Sequence, residues 1–508
     1  MKAKRSAYNV LFGIANQLIM IALGILLPRL VLVNLGSESN GLLTSVNQIF
    51  TYFALLEAGV GAATLQALYG PVGTEDRSEI NRILAATDRY YKRTGVIYLL
   101  AFLALAIIYP LVVQSTLNKP VIFAVIVLTG FSGVLSYFFQ GKYNILLLAE
   151  GKNYISSNLG SIVQIFVSVS KIALLLGGFN VVALQAMYCF FNVVKMLYIE
   201  WYIRRHYPWI NLKAEPDFKA ISQKNYVLIH QISSLIFNNT DTLILTLTLG
   251  LKSVSVYAMY TLLFGMVSTL IGTLTGSVQF ILGQTFNNDR EQYLKLHEAY
   301  EVGNMTLVFS LYCLANIFIL PFMRLYTAGV TDINYIDPLL PFLFVAVYLL
   351  NSGRESSNLV IKFAGHYRQT VSRTIIESTI NLAVSIICVW RFGIYGVLFG
   401  TIAALLFRAN DMILYANRKI LHRSPKKTYF RWLRNLLLFA LCTLVGFRLP
   451  VDCSTYLSIV GWACVEGIGI ICFFAGVNLL CEREVRATIW EYLKNTLPWG
   501  KNHRGGIV

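Results

Sequence analysis

Apolar runs of about 20 residues recur along the whole chain, separated by short polar stretches. Wound as an α-helix, a run of that length matches the ~30 Å hydrocarbon core of a bilayer. Fourteen runs stand out, at 9–34, 41–68, 94–114, 120–140, 155–176, 180–201, 223–249, 255–280, 302–326, 338–360, 371–390, 394–415, 433–449 and 456–480. The pattern predicts an all-α polytopic membrane protein with about 14 transmembrane helices, since backbone in lipid must satisfy its hydrogen bonds within each segment. The first run is too long for a secretory leader, carries Asn16, Gln17 and Pro28, and lacks a small-x-small cleavage site, so it reads as a retained span.

The runs repeat at an offset of about 214 residues. Leu35-Gly36 closes the first and Leu249-Gly250 the seventh; Glu150-Gly151-Lys152 follows the fourth and Ala364-Gly365-His366 the tenth; Gly178-Phe179 precedes the sixth and Phe392-Gly393 the twelfth, shifted by one. Six spans per repeat is an even number, so both repeats insert with the same orientation. The expected fold is two parallel six-helix bundles plus an appended C-terminal helix pair. A substrate site is expected between such repeats. The division is 1–205 for the first bundle, 206–222 for a linker, 223–416 for the second bundle, 417–432 for a basic loop, 433–480 for the appended pair and 481–508 for a tail.

Composition agrees: 56% of the 508 residues are hydrophobic and only 13% charged, about half the share usual in a soluble domain. The net charge of +17 is chiefly a topology signal. With the N-terminus inside, 32 of the 42 Lys and Arg fall on the cytoplasmic side, which places both termini in the cytoplasm. Nucleic acid is not implied. The loop around Arg418 to Arg434 also suits anionic lipid head groups. The eight cysteines form no C-x-x-C pair, and neither a metal site nor a disulfide framework is expected. No Walker-type Gly-x-x-x-x-Gly-Lys-Ser/Thr, no H-E-x-x-H and no long polar outer loop is present, so neither ATP hydrolysis nor membrane-enzyme chemistry is supported and no catalytic residue or cofactor is expected.

Candidate chemistry lies in the polar residues within spans. Arg29, Lys171, Lys195, Arg354 and Arg408 are cations in otherwise apolar runs. Each such charge costs about 2.5–3.5 kcal/mol at the bilayer centre unless it meets a partner, water or the interface. Lys195 reads as snorkelling to the interface and Arg408 as pairing with Asp411, three residues on. Arg354 either lines the inner half of a cavity or marks a cytoplasmic helix end. Arg29 and Lys171 have no acid one turn away and are the best candidates for an anion site, Arg offering a fork and Lys a point charge. Pro28 is expected to kink the first span beside Arg29. Asn16 and Gln17 share a polar face of that span. His230, Ser234, Asn238, Asp241 and Thr248 form a stripe on the seventh, which lines a cavity or packs on another polar helix. Asp241 and Glu57 are candidates for a coupling Na⁺ or proton. Glu57 is alternatively a structural partner of Arg29 or Lys171. Glu377 reads as solvated near a helix end.

With this topology, four passages resemble the polysaccharide transporter family, the bacterial lipid-linked oligosaccharide flippases. They are Arg29…Leu35-Gly36…Asn40-Gly41, Leu56-Glu57-Ala58-Gly59-Val60-Gly61, Leu147-Leu148-Ala149-Glu150-Gly151-Lys152 and Asn239-Thr240-Asp241-Thr242-Leu243-Ile244-Leu245. The resemblance places the chain in the multidrug/oligosaccharidyl-lipid/polysaccharide exporter superfamily. It implies alternating access in the bacterial cytoplasmic membrane, with a polyprenyl-diphosphate-linked glycan as cargo and its tail left in the bilayer. Arg29 and Lys171 would hold the diphosphate. The rival readings are a multidrug or cation antiporter of the same superfamily, a peptidoglycan-precursor flippase, and a glycan polymerase or ligase.

Overall fold

The computed structural model describes residues 2–53, 55–220 and 239–496, with side chains described from residue 22 onward apart from 55–59, 62, 277, 280, 287, 367, 368 and those beyond 491. The described chain is all helix, without strands, and belongs to a polytopic membrane protein. In order the helices are α1 (Lys2–Phe53), α2 (Leu55–Gly73), α3 (Arg77–Val112), α4 (Lys119–Leu135), α5 (Gly141–Ala149), α6 (Asn153–Leu176) and α7 (Val181–His206). Then follow α8 (239–248), α9 (Leu251–Asn288), α10 (Arg290–Tyr326), α11 (Leu340–Gly353), α12 (Glu355–Phe363), α13 (Tyr367–Phe392) and α14 (Ile394–Tyr415). The last are α15 (Lys426–Gly446), α16 (Tyr456–Cys481) and α17 (Arg483–Thr496).

Among the described residues, ten helices are long and apolar enough to cross a membrane. The other expected spans differ for visible reasons. Residues 223–238 lie outside the described residues. The run at 41–68 is shared between the end of α1 and α2. The run at 338–360 is divided at Arg354 into α11 and α12, and α15 opens with Lys426, Lys427, Arg431 and Arg434.

The 214-residue offset reappears in backbone conformation. Gly36 and Gly250 have φ of 79° and 81°, Gly151 and Gly365 71° and 68°, and Gly178 and Gly393 75° and 58°. These are turns in the left-handed region, where a Cβ is strained. Helix starts recur too: α3 follows Asp76 and α10 follows Asp289, 213 residues later. Asp76 accepts from Ser78 and Glu79 N–H at 3.0 and 3.1 Å, and Asp289 from Gln292 N–H at 2.9 Å. The fourth span of each repeat is interrupted at matching positions, by a π turn over Ser136–Gln140 and by the break at Arg354.

Pro28 is expected to kink the first span, and Leu35-Gly36 to close it. The backbone stays helical through Pro28 and leaves helical geometry at Gly36, where the first apolar run closes. A proline removes one N–H and tilts a helix, whereas only glycine takes the positive φ found here at little cost.

The chain divides into two compact units, one of Met1–Ala258 with Thr327–Asn334 and the other of Met259–Tyr326 with Tyr335–Val508. The first has an apolar core between α2, α3, α5 and α7, built on Val60, Leu84, Tyr91, Leu146 and Ile203. Within it, α1 beyond Gly36 is tied to α8 and the start of α9. Asn40 Nδ2 donates to Ser255 Oγ at 2.7 Å, Ser45 and Thr246 hydroxyls lie 2.8 Å apart, and Tyr52 and Thr240 hydroxyls 2.9 Å apart.

In the second unit α13 and α14 pack closely through Gly396 and Gly400, and Asn381 Nδ2 donates to Thr401 Oγ1 at 2.9 Å. The appended pair packs on α10, with Phe439 and Ile459 against Cys313, Ile317 and Phe318. A polar cluster bolts it there. Asn478 Nδ2 donates to Thr306 Oγ1 at 2.9 Å. Arg431, fully buried, reaches Glu301 at 2.5 Å and grips Glu482 with Nε and Nη2 at 2.7 and 2.6 Å. Burial acts to raise the Glu482 carboxyl, but Arg431 and Arg434 outweigh it and hold it below the ordinary value.

The two repeats bury an acid at matching positions of α3 and α10. In the first unit Asp88 pairs with Lys142 of α5 at 2.6 Å and Lys92 of α3 at 2.7 Å. Glu301 lies 213 residues further on, but the counterpart of Lys142 is Ser356. The cations for Glu301 come from Arg431 and from Arg423, at 3.0 Å, both outside the repeat.

Candidate functional site: a lysine-bearing cavity

In the first unit a cavity of about 270 Å³ lies between α1, α6 and α7. Helical periodicity builds its wall: Gln164, Val167 and Lys171 are spaced three and four apart on one face of α6, and Gln185 and Tyr188 three apart on α7. α1 contributes on both sides of Gly36: Leu27, Pro28 and Val31 before it, and Asn40, Leu43, Thr44 and Asn47 after it. The break lets one helix present a polar face here that the uninterrupted apolar stretch before it does not.

Lys171 carries the positive charge of this cavity. Its Nζ donates to Gln185 Oε1 at 3.2 Å and lies 5.3 Å from the Tyr188 ring centroid. Gln185 is buried, and its Nε2 donates to Thr129 Oγ1 at 2.8 Å; that hydroxyl in turn donates to Val125 O at 2.7 Å. The Thr129 proton is thereby used, so Gln185 turns its amide N–H₂ to Thr129 and its carbonyl to the ammonium. None of the described lining residues is an acid. The described wall of the cavity thus carries one cation among amides, hydroxyls and an aromatic face.

The sequence-predicted residues are not all gathered here. Arg29 is half-buried on α1 between the lining residues Pro28 and Val31, and is not one of the described lining side chains. The side chains of Asn16, Gln17 and Glu57, and all of Asn238, lie outside the described residues. Asp241 is buried on α8 and accepts from Tyr257 Oη at 2.9 Å. Gln164, Gln185, Tyr188, Thr44 and Asn47 were not singled out from sequence. The signal for Gln164 was its distance of seven residues from Lys171, which places the two on one helix face.

Arg354 sits in the second unit in a network of its own. Its Nη1 donates to Glu377 Oε1 at 2.6 Å and its Nη2 to Asn351 Oδ1 at 2.9 Å. Arg408 Nε lies 3.3 Å from the other Glu377 oxygen, and Arg408 Nη1 donates to Asp411 Oδ2 at 2.7 Å. Arg373 donates to Asp411 Oδ1 at 2.7 Å. Glu377 is buried between two arginines rather than solvated at a helix end, because α13 packs along α14 and buries this face. Among the described residues, the network holds three guanidinium groups and two carboxylates.

No family model matches the chain, and no curated protein matches it. Solved structures do. The lipid II flippase MurJ in an inward closed conformation aligns over 94% of this chain and 100% of its own, with a TM-score of 0.71 and 14% identity. An inward-facing multidrug resistance MATE family transporter of the MOP superfamily aligns over 80% of this chain and 96% of its own, with a TM-score of 0.66 and 17% identity. A MATE structure in a bent conformation aligns over 83% and 95%, with a TM-score of 0.52 and 15% identity. What is shared at such identities is the fold. The chain has the fold of these membrane transporters.

Proposed function

We propose that the chain is an exporter that moves a polyprenyl-diphosphate-linked oligosaccharide across the bacterial cytoplasmic membrane by alternating access, with both termini cytoplasmic. The observation that carries this reading is the Lys171 cavity, positive and without an acid on its described wall. A diphosphate supplies the counter-charge such a cavity lacks, and the amides of Gln164 and Asn47 suit sugar hydroxyls. Arg29 is assigned an auxiliary role on the same helix as Pro28. Asn16, Gln17, Asn238 and Arg354 remain in the proposed substrate path, and Asp241 or Glu57 is the proposed site for a coupling Na⁺ or proton. The likeness in fold to a lipid II flippase supports this reading, but equally admits the peptidoglycan precursor as cargo.

The second reading is a multidrug or cation antiporter. Asp241 favours it, as a buried intramembrane carboxylate in a fold shared with MATE transporters. Complementation of a flippase-deficient strain separates the two. Lys171→Gln is expected to lower surface glycan export about 10- to 100-fold, the loss of one charge-assisted contact. Membrane abundance should stay near wild type, and Lys171→Arg should retain part of the activity. Normal export by Lys171→Gln sinks the anion-site assignment. Drug resistance without glycan export by the wild type replaces it with the antiporter.

A further inference from the structure

The second unit holds an apolar groove of about 450 Å³ between α11, α14 and α15. Phe342 and Leu349 line it from α11, Leu406 and Asn410 from α14, and Tyr429 and Trp432 from α15. Phe342, Leu406 and Asn410 are exposed along it, so it opens toward whatever surrounds the protein. The appended pair is bolted to α10 on one side; on this side Trp432 packs on Gly353 at one end and Phe342 meets Phe447 beyond the other, and the groove lies between those contacts.

Three features identify what fits. The first is polarity at one end. Tyr429 Oη donates to Asn410 Oδ1 at 2.9 Å, and one helical turn along, the Trp432 indole N–H has no hydrogen-bond partner among the described residues. Tyr and Trp beside a lipid-facing surface mark head-group level. The second is charge at that same end. Arg418 and Lys419, both exposed, sit on the π turn Ala416–Ile420 that follows α14. That turn begins three residues beyond Ile413, which also lines the groove from α14. The third is length. On α15 the lining runs from Tyr429 to Phe439, ten residues or ~15 Å of helix. That is half of the ~30 Å hydrocarbon core, the depth of one leaflet.

We propose that this groove is a binding site for an anionic glycerophospholipid. One acyl chain lies along α15 from the Tyr429 end toward Phe439, and the phosphate rests on Arg418 and Lys419. The single-leaflet length favours a glycerophospholipid over a long polyprenyl tail. The lipid fills the space that these side-chain contacts leave between α15, α11 and α14. The site does not depend on the identity of the transported cargo, because none of its residues belongs to the Lys171 cavity.

The test is native mass spectrometry of the full chain in detergent, titrated with phosphatidylglycerol, phosphatidylcholine or undecaprenyl phosphate. Wild type is expected to retain one phosphatidylglycerol with about tenfold preference over phosphatidylcholine. Arg418→Gln/Lys419→Gln, both at exposed positions, is expected to erase that preference. Ala346→Trp, which fills the groove wall, is expected to lower retention of both phospholipids. Equal binding of the two phospholipids by wild type overturns the proposal, as does an unchanged preference in the double variant. One-for-one displacement of phosphatidylglycerol by undecaprenyl phosphate at equal concentration assigns the groove to the polyprenyl tail and overturns it too.

Discussion

Arg431→Met is expected to destabilise the protein by about 3–5 kcal/mol, the cost of leaving a buried charge cluster without one partner. The side chain is fully buried and engages two helices beyond its own: Glu301 of α10 at 2.5 Å, and Glu482 beyond α16 through two parallel bonds. Removing it leaves the buried Glu301 carboxylate with Arg423 at 3.0 Å and the Thr428 hydroxyl at 2.7 Å, and frees Glu482 from its fork. Arg431→Lys keeps the charge but not the planar geometry, and should fall between the two. The double variant Arg431→Met/Glu482→Gln should recover part of the loss, since one stranded charge is gone. Acid should act similarly on wild type. Glu482 is held below its ordinary pKa, so the stability it contributes is present near neutrality and disappears as pH falls below about 4. The measurement is the midpoint of thermal unfolding in one detergent, followed by size-exclusion fluorescence. A midpoint unchanged in Arg431→Met would show that apolar packing alone holds the appended pair.

A single methyl at Gly41 should be nearly as damaging. A Cβ there would overlap the carbonyl oxygen of Leu251, with the carbonyl carbon at 2.7 Å and the Cα at 3.1 Å. These are backbone atoms at the start of α9, which have no rotamer to change. α1 and α9 would have to separate, straining the neighbouring Asn40–Ser255 hydrogen bond. Overpacking typically costs about 1–3 kcal/mol, and rigid backbone puts Gly41→Ala at or above the upper end. Gly272→Ala is the matched control on α9. Among the described residues nothing lies within 4 Å of a Cβ there, and it should be neutral or slightly stabilising. If both alanine variants melt together, the close approach at Gly41 is not what the geometry says.

The sequence carried the helices and their repetition because both depend on local signals. Apolar length sets a span, and a glycine in a turn recurs wherever the same turn recurs, as at Gly36 and Gly250 or Gly151 and Gly365. Lys171 was legible for a related reason: a cation in an apolar run is conspicuous by itself. Its surroundings were not. Gln185 matters through its bond to Thr129, 56 residues away, and no periodicity reports that. Arg354 was undecided from sequence because its partner Glu377 is 23 residues distant on another helix. The break at Gly36 is legible, because the first apolar run closes at Leu35-Gly36; that the helix resumes at once beyond it, to Phe53, is not.

The borrowed cations of Glu301 have a consequence for biosynthesis. Asp88 meets its first partner four residues later and its second 54 residues later. Glu301 waits 130 residues for Arg431. At ~5–20 residues per second, that interval is on the order of 10 s, during which α10 is already made and its carboxylate has no such mate. The ion pairs of Glu301 therefore close only after Arg423 and Arg431 have been made. The order of assembly is written into which helix brings the positive charge.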